Sequence, residues 1–375
     1  MLGGKGLTMS VIPSLFSRYL IKNFILAFVA ALGALQALIL LFDSIDLLRH
    51  AASRTYVTFL DIFQLAFLKL PQLMPIILPF AILIAALVTF YRLSKTQELV
   101  IARAAGLSVW NIILPIIAVT VLIGIGNMTL FNPFSAIMYR KYQTESAETF
   151  RHAPAFSWTD KGLWVREKQG NDTFVIHADS VRQNGQALFL QDVLVLQINE
   201  TEDLEQQIEM SYGVLADNQL SLTSGFAYSD AEGKRALASY QMPINFSIKD
   251  ILSTFNEPEE ISFWRMPRFI HQLEFAGFSS TRHKMHYYTL FAGVFYFVAM
   301  VLIAAIFGLN TNQRQGGALY KTTLAFFFSF VLFFLTKLTN ALGVSGALPL
   351  FLAAFAPSLI VIGIGVTVLL QQEDG

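Results

Sequence analysis

Runs free of charge recur along the chain at the length a bilayer demands. A hydrocarbon core of about 30 Å needs about 20 apolar residues at 1.5 Å of rise each. Six stretches meet that need: Phe24 to Phe42, Leu70 to Phe90, Val109 to Leu130 within the charge-free segment Leu107 to Tyr139, Tyr287 to Leu309, Ala318 to Leu338, and Leu348 to Leu370. They predict six transmembrane helices, three on each side of a polar window at residues 140 to 282. In the fifth, Lys321 and Lys337 bracket only about 22 Å of helix, so both lysines must snorkel toward the interfaces. The apolar run through Phe42 is longer than the core of a secretory signal, which makes the first span a retained anchor. Residues 1–8, before Met9, look like an extended start and receive no role.

Within the polar window the hydrophobic period changes to two. Gly162 to Lys168 and Thr173 to Asp179 alternate around the turn cluster Gln169-Gly170-Asn171-Asp172, which is a hairpin signal. Further strands are expected at Leu188 to Ile198, Glu205 to Leu215, Gln219 to Tyr228 and Arg235 to Phe246. Turns fall at Ala216-Asp217-Asn218 and Asp230-Ala231-Glu232-Gly233. Short strands at regular spacing suggest a small sandwich or jellyroll. From Asn256 to Arg282 the chain is charged and helix-permissive, with Pro258 and Pro267 as breakers, and forms the return connection. The expected fold class is therefore an α-helical membrane protein with six transmembrane helices plus an inserted all-β domain, β-jellyroll-like. Its expected parts are 1–139 (spans 1–3), 140–282 (β domain and return) and 283–375 (spans 4–6).

Composition agrees with the pattern. Of 375 residues, 54% are hydrophobic and 14% charged, against about 25% charged in an ordinary soluble domain. The 26 basic and 26 acidic groups cancel, so no basic field points to nucleic acid. They are segregated, however: residues 140 to 282 hold 20 of the acidic and 13 of the basic groups, a net of −7. Lys5, Arg18, Lys22, Arg92, Lys95, Arg103, Arg314 and Lys321 collect in loops on one side, against Arg49 and Arg54 on the other. By the positive-inside rule both termini are expected in the cytoplasm and the β domain outside it.

Several chemistries are missing. There is no cysteine, which excludes disulfides, thiolate metal sites and cysteine nucleophiles. No phosphate-cradling loop of the G-x-x-x-x-G-K type occurs, and Gly3-Gly4-Lys5 is too short to be one. The histidines show no metal spacing apart from His283 and His286, beside Lys284 at a span entry, where interfacial anchoring is the other reading. The spans as bounded above lack acidic groups, so a proton- or sodium-coupled transporter loses its usual relay. No cofactor and no metal are called for, and a non-catalytic subunit is expected.

The loop from Tyr91 to Gly106 is the most informative segment. Ser94 with Gln97 three residues on forms a capping box and Gly106 a left-handed stop, predicting a helix of about three turns over 94–106. Its face at Glu98, Ala102 and Ala105 pairs one anion with small residues and could approach another protein closely. Equally, Glu98 could do no more than favour the helix dipole. On the opposite side Arg49, His50 and Arg54 follow span one, while Arg140 and Lys141 follow span three between Tyr139 and Tyr142. Cations beside aromatic rings suit a ligand with phosphates and acyl chains; anchoring among lipid headgroups is the alternative, and Lys337 shares the ambiguity. Pro71, Pro75 and Pro79 lie four apart, near one face, and should kink span two.

Glu98-Leu99-Val100 followed by Arg103-Ala104-Ala105-Gly106-Leu107-Ser108 resembles the coupling helix of the lipopolysaccharide-export permeases, the LptF/LptG family. The resemblance extends to Arg18-Tyr19 before span one, Asp46 to Arg49 after it, Asn132-Pro133 at the end of span three and Gly162-Leu163-Trp164 in the first strand. The Phe42 to Arg49 segment and the Ala105 to Trp110 run are more similar to the LptG type. The resemblance implies one of two paralogous permeases (with LptF the partner if this is LptG) over a dimer of a cytoplasmic LptB-like ATPase. It further implies an LptC-like single-span jellyroll partner, an LptA-like periplasmic bridge, and lipopolysaccharide drawn from the inner membrane by ATP hydrolysis in the separate subunit. Glu98, Leu99, Ala102, Arg103 and Gly106 would then serve ATPase coupling, and Arg49, His50, Arg140, Lys141 and Lys337 would meet the glycolipid's phosphates. His50 and Gln143 replace bases common at their positions. The rival from another class is a membrane-anchored periplasmic scaffold or sensor; the rival within transport is an ABC permease for another envelope lipid or lipoprotein.

Overall fold

The computed structural model describes residues 14–51, 58–149, 156–159, 162–170, 172–184, 187–199, 203–216, 218–229, 233–244, 257–275, 277–309 and 317–374. Lys5, Arg54, Arg314, residues 1–8, the turn residues Asn171, Asp217 and 230–232, the end of the last strand at Phe246 and the side chain of His50 lie outside the described residues. The chain divides into two compact units, residues 1–139 with 284–375, and residues 140–283.

In the first unit, α1 (Ser14–Ala51) is one unbroken helix, longer than its apolar stretch because no residue between Phe42 and Ala51 breaks it. Helix α2 (Phe59–Lys69) starts at a capping box in which the Thr58 hydroxyl accepts from the Asp61 N–H and the Asp61 carboxylate accepts from the Thr58 N–H. A 3-10 turn at Leu70–Leu73, built around Pro71, joins it to α3 (Met74–Lys95), with Pro75 in the first turn and Pro79 inside. The kink expected from the three prolines is thus localised at the first, whose missing N–H breaks the α ladder.

Helix α4 (Glu98–Ala104) leads to α5 (Val109–Gly126), a π turn at Asn127–Phe131, and α6 (Asn132–Thr149). The π turn precedes Pro133, which cannot donate; the ladder widens there so that the Asn132 N–H reaches the Asn127 carbonyl. After the β strands come α7 (Met266–Phe275), α8 (Thr281–Gly308), α9 (Gly317–Val344) and α10 (Leu350–Asp374).

Among the described residues six helical segments are long and apolar enough to cross a membrane: Leu15–Arg49, Leu60–Lys95, Val109–Ser146, Thr281–Gly308, Leu319–Val344 and Leu350–Glu373. Three begin earlier than the sequence pattern predicts, and five end later. The first two therefore carry Asp43, Asp46, Asp61 and Lys69, which corrects the expectation that the spans hold no acidic group. Their common core joins Leu20, Phe24 and Phe28 of α1, Ala81 to Leu87 of α3, Ile112, Ile113 and Ile116 of α5 and Ala299 to Ala305 of α8. Ala81, Ala85, Ala86, Ala299, Ala304 and Ala305 are completely buried. Small side chains let helix backbones approach, and in lipid that van der Waals contact is the main attraction between helices.

The second unit holds a seven-stranded antiparallel sheet in simple meander order: β1 (Phe156–Thr159), β2 (Gly162–Gln169), β3 (Asp172–Asn184), β4 (Ala187–Ile198), β5 (Leu204–Ala216), β6 (Gln219–Ser229) and β7 (Gly233–Pro243). Six of these match the expected strands. β1 escaped the sequence because four residues, Phe-Ser-Trp-Thr, are too short to show an alternation. The all-β expectation holds, and the connectivity refines it: among the described residues each strand pairs with the next in sequence.

A transverse crease bends this sheet. Asp179, Asp192, Ser211, Ser224 and Ala238 fall in one row where the ladder pairing lapses in β3 to β7, although the register is the same on either side. Each strand inserts one residue there. Buried positions therefore change phase, from Ala178 to Val181, Leu190 to Val193, Met210 to Gly213 and Leu222 to Ala227. Asp192 and Ser224 take left-handed backbone conformations (φ 51° and 64°). The phase change keeps one face apolar through the bend, and Leu163, Ile176, Val195, Ile208 and Leu222 share one core with Leu273 and Phe278 of the return connection. A single meander thereby acquires an interior of its own.

Candidate functional sites

The expected capping box at Ser94 and Gln97 does not form. Helix α3 runs on through Lys95, which buries Ser94 in its last turn, and the chain breaks at Gln97, whose backbone is left-handed (φ 60°) and whose side chain caps nothing. The helix is accordingly seven residues rather than about three turns. It ends as expected at Gly106 (φ 83°): the Leu107 N–H reaches the Ala102 carbonyl and the Gly106 N–H the Arg103 carbonyl, a Schellman closure.

Burial sorts the residues of α4 into two faces. Leu99 is fully buried and Ala102 nearly so, both turned into the chain itself. Glu98 is half-buried, and its Oε1 accepts a hydrogen bond from the Tyr19 hydroxyl at 3.2 Å, near the start of α1. Val100 (46% exposed), Ile101 (67% exposed), Arg103, Ala104 and Ala105 face outward. The segment thus offers an apolar patch with one cation, while Glu98 keeps Oε2 outside this bond. Neither the Tyr19 partnership nor the outward Val100 and Ile101 emerged from the sequence, since a 79-residue separation leaves no local signal.

The cations of the other group are distributed over both units. In the first, Arg49 is exposed in the last turn of α1, and Lys337 is exposed on α9 with its Nζ 5.7 Å from the centre of the Phe333 ring. In the second, the Arg140 Nη2 donates to the Glu260 carbonyl at 3.1 Å, and Lys141 makes an exposed i,i+4 ion pair with Glu145 at 3.4 Å. An exposed pair of that kind is worth about 0.3–0.5 kcal/mol, so an incoming phosphate could replace it at small cost. Arg140 carries five donors and keeps further ones for another acceptor. Burial pushes the Glu260 carboxyl above its ordinary range, reinforced by Glu257 and then opposed by Arg140, with Glu259 adding a smaller upward push.

A further polar pair was missed because it lies in what looked like span ends. Asp43 of α1 and Lys69 of α2 meet at 2.6 Å, their side chains 14% and 25% exposed. The available clue was a single acidic residue directly after Phe42 and a single lysine directly before Leu70. Among the described residues, no group of three or more His, Cys, Asp or Glu side chains is placed to hold a metal ion.

These features define a class: a multi-pass α-helical membrane protein with an antiparallel β domain inserted between its third and fourth spans. The family model for the lipopolysaccharide export system permease LptF/LptG matches residues 18–371, and the chain belongs to that family. It is thereby an inner-membrane permease for lipopolysaccharide export in an ABC-type system, a class whose members are not themselves catalytic. No curated protein matches the chain.

Proposed function

We propose that the chain is the LptG-type half of an ATP-driven extractor that lifts lipopolysaccharide out of the inner membrane. In this reading both termini and α4 are cytoplasmic, the β domain is periplasmic, and a paralogous LptF-type permease completes the cavity. An LptB-like ATPase dimer grips α4, and LptC-like and LptA-like jellyroll partners receive the lipid from above. Glu98, Leu99, Ala102, Arg103 and Gly106 form and orient the coupling segment. Arg49, His50, Arg140, Lys141 and Lys337 meet the phosphates of the glycolipid.

The observation that supports the reading is α4 itself, a two-turn helix between two apolar helices that leaves Val100, Ile101 and Arg103 exposed. Buried apolar anchors with a charged rim are what a docking contact requires. Purification in detergent tests it. An ATPase should copurify, lipid mass spectrometry should find lipopolysaccharide, and Glu98→Lys should uncouple hydrolysis from transport while membrane insertion persists. Recovery of the chain without an ATPase and with another lipid would overturn the assignment.

A further inference from the structure

Seven residues make a helix too short to persist on its own in water, and α4 is flanked by left-handed backbone on both sides, Gln97 at φ 60° and Gly106 at φ 83°. Side-chain contacts must therefore fix its orientation. Leu99 supplies the apolar one, within the core that also contains Leu20 and Phe24 of α1. The hydrogen bond from Tyr19 to Glu98 supplies a directional one. An apolar contact permits sliding, whereas a bond to a carboxylate fixes both distance and angle.

Helix α1 continues from Tyr19 for 24 residues, about 36 Å, to Asp43, where the ion pair with Lys69 fastens it to α2. Between those points much of α1 is exposed, with Leu26, Val29, Leu38 and Leu41 at 50% or more. We propose that Tyr19 is a positioning residue that joins α4 to α1, so that a movement imposed on α4 is delivered along α1 to the Asp43–Lys69 pair at its far end. Glu98 then has two duties on two oxygens: Oε1 takes the Tyr19 hydroxyl, and Oε2 remains for the partner. The inference rests on the reading of α4 as the ATPase contact.

The absence of cysteine allows spin labels at Leu41→Cys on α1 and Phe67→Cys on α2, both exposed, in the assembled complex with its ATPase. The label separation should change when a non-hydrolysable ATP analogue is added. Tyr19→Phe, which removes only the hydroxyl, should abolish that change and lower lipid released per ATP hydrolysed about tenfold, the factor expected for loss of one hydrogen bond to a charged acceptor. The same complex should still assemble. Glu98→Ala removes both oxygens and should lose at least as much as Tyr19→Phe, and adding Tyr19→Phe to it should cost nothing further. A full distance change in Tyr19→Phe, with the ATPase bound, overturns the inference alone. Failure of the wild-type chain to bind an ATPase overturns the proposed function and the inference with it.

Discussion

Asp43 and Lys69 meet at 2.6 Å between the C-terminal part of α1 and the last turn of α2, each with at most a quarter of its side chain exposed. A carboxylate so little exposed is tolerated because its counter-charge is fixed beside it, and removal of either partner strands the other. Asp43→Ala should destabilise the α1–α2 pairing by roughly 2–3 kcal/mol, below the 3–5 kcal/mol of a fully buried pair because Lys69 retains some water. Replacing both residues with leucine should cost less than Asp43→Ala alone. Thermal unfolding in detergent, followed through the four backgrounds of the cycle, measures the difference; a double loss equal to the sum of the two single losses would deny the pair any coupling.

Two outward and inward neighbours on α4 should behave oppositely. Ile101→Asp places a charge on the exposed face and should abolish ATPase copurification with the chain's own melting temperature unchanged. Leu99→Asp buries an unpaired carboxylate at a fully closed position and should lower the melting temperature as well. Pull-down and thermal denaturation of the same preparations separate the two effects.

Gly106 and Gly277 close helices by the same left-handed device, yet their surroundings differ. Around Gly106 a Cβ would meet nothing within 4 Å, so Gly106→Ala should cost only the backbone penalty, about 1–2 kcal/mol. At Gly277 (φ 79°) a Cβ would lie 2.6 Å from the Gln183 carbonyl oxygen of β3, on top of the same penalty. Gly277→Ala should therefore open the β unit to limited proteolysis in the intact chain, whereas Gly106→Ala should leave its cleavage pattern unaltered.

The Glu260 carboxyl is pushed above its ordinary range by burial first and by Glu257 next. A carboxyl raised on folding holds its proton longer in the folded state. Its contribution is favourable at low pH and is lost as pH rises through the folded value. Glu260→Gln, which cannot ionise, should therefore stabilise the β unit at neutral pH, with the advantage shrinking as pH falls into the ordinary carboxylate range. Protease resistance measured between pH 4 and 8 checks this; an advantage that grows toward acid would reverse the assignment.

Long-range order in this molecule was legible wherever a repeat wrote it into the chain. Among the described residues, charge-poor runs of bilayer length located the six apolar helices, and period-two alternation located six of the seven strands, because burial imposes those periods on every residue of an element. What escaped was set by contacts distant in sequence or by single residues. The break at Gln97 depends on α3 burying Ser94, which overrides a local capping signal. Tyr19 and Glu98 carry no local mark of each other, and Asp43 and Lys69 show only as lone charges at the edges of two apolar runs. The crease was written as a one-residue slip in alternation, as between Leu190 and Val193, but a slip resembles an imperfect strand until its neighbours slip in the same row.

The account turns on lipid export coupled to a separate ATPase, and the most direct measurement is release of lipopolysaccharide from vesicles containing the purified complex to a soluble periplasmic acceptor. Release that requires ATP, exceeds that of an unrelated envelope lipid and disappears with Ile101→Asp is the expected result. Release that proceeds equally without ATP, or that favours another lipid, would contradict it.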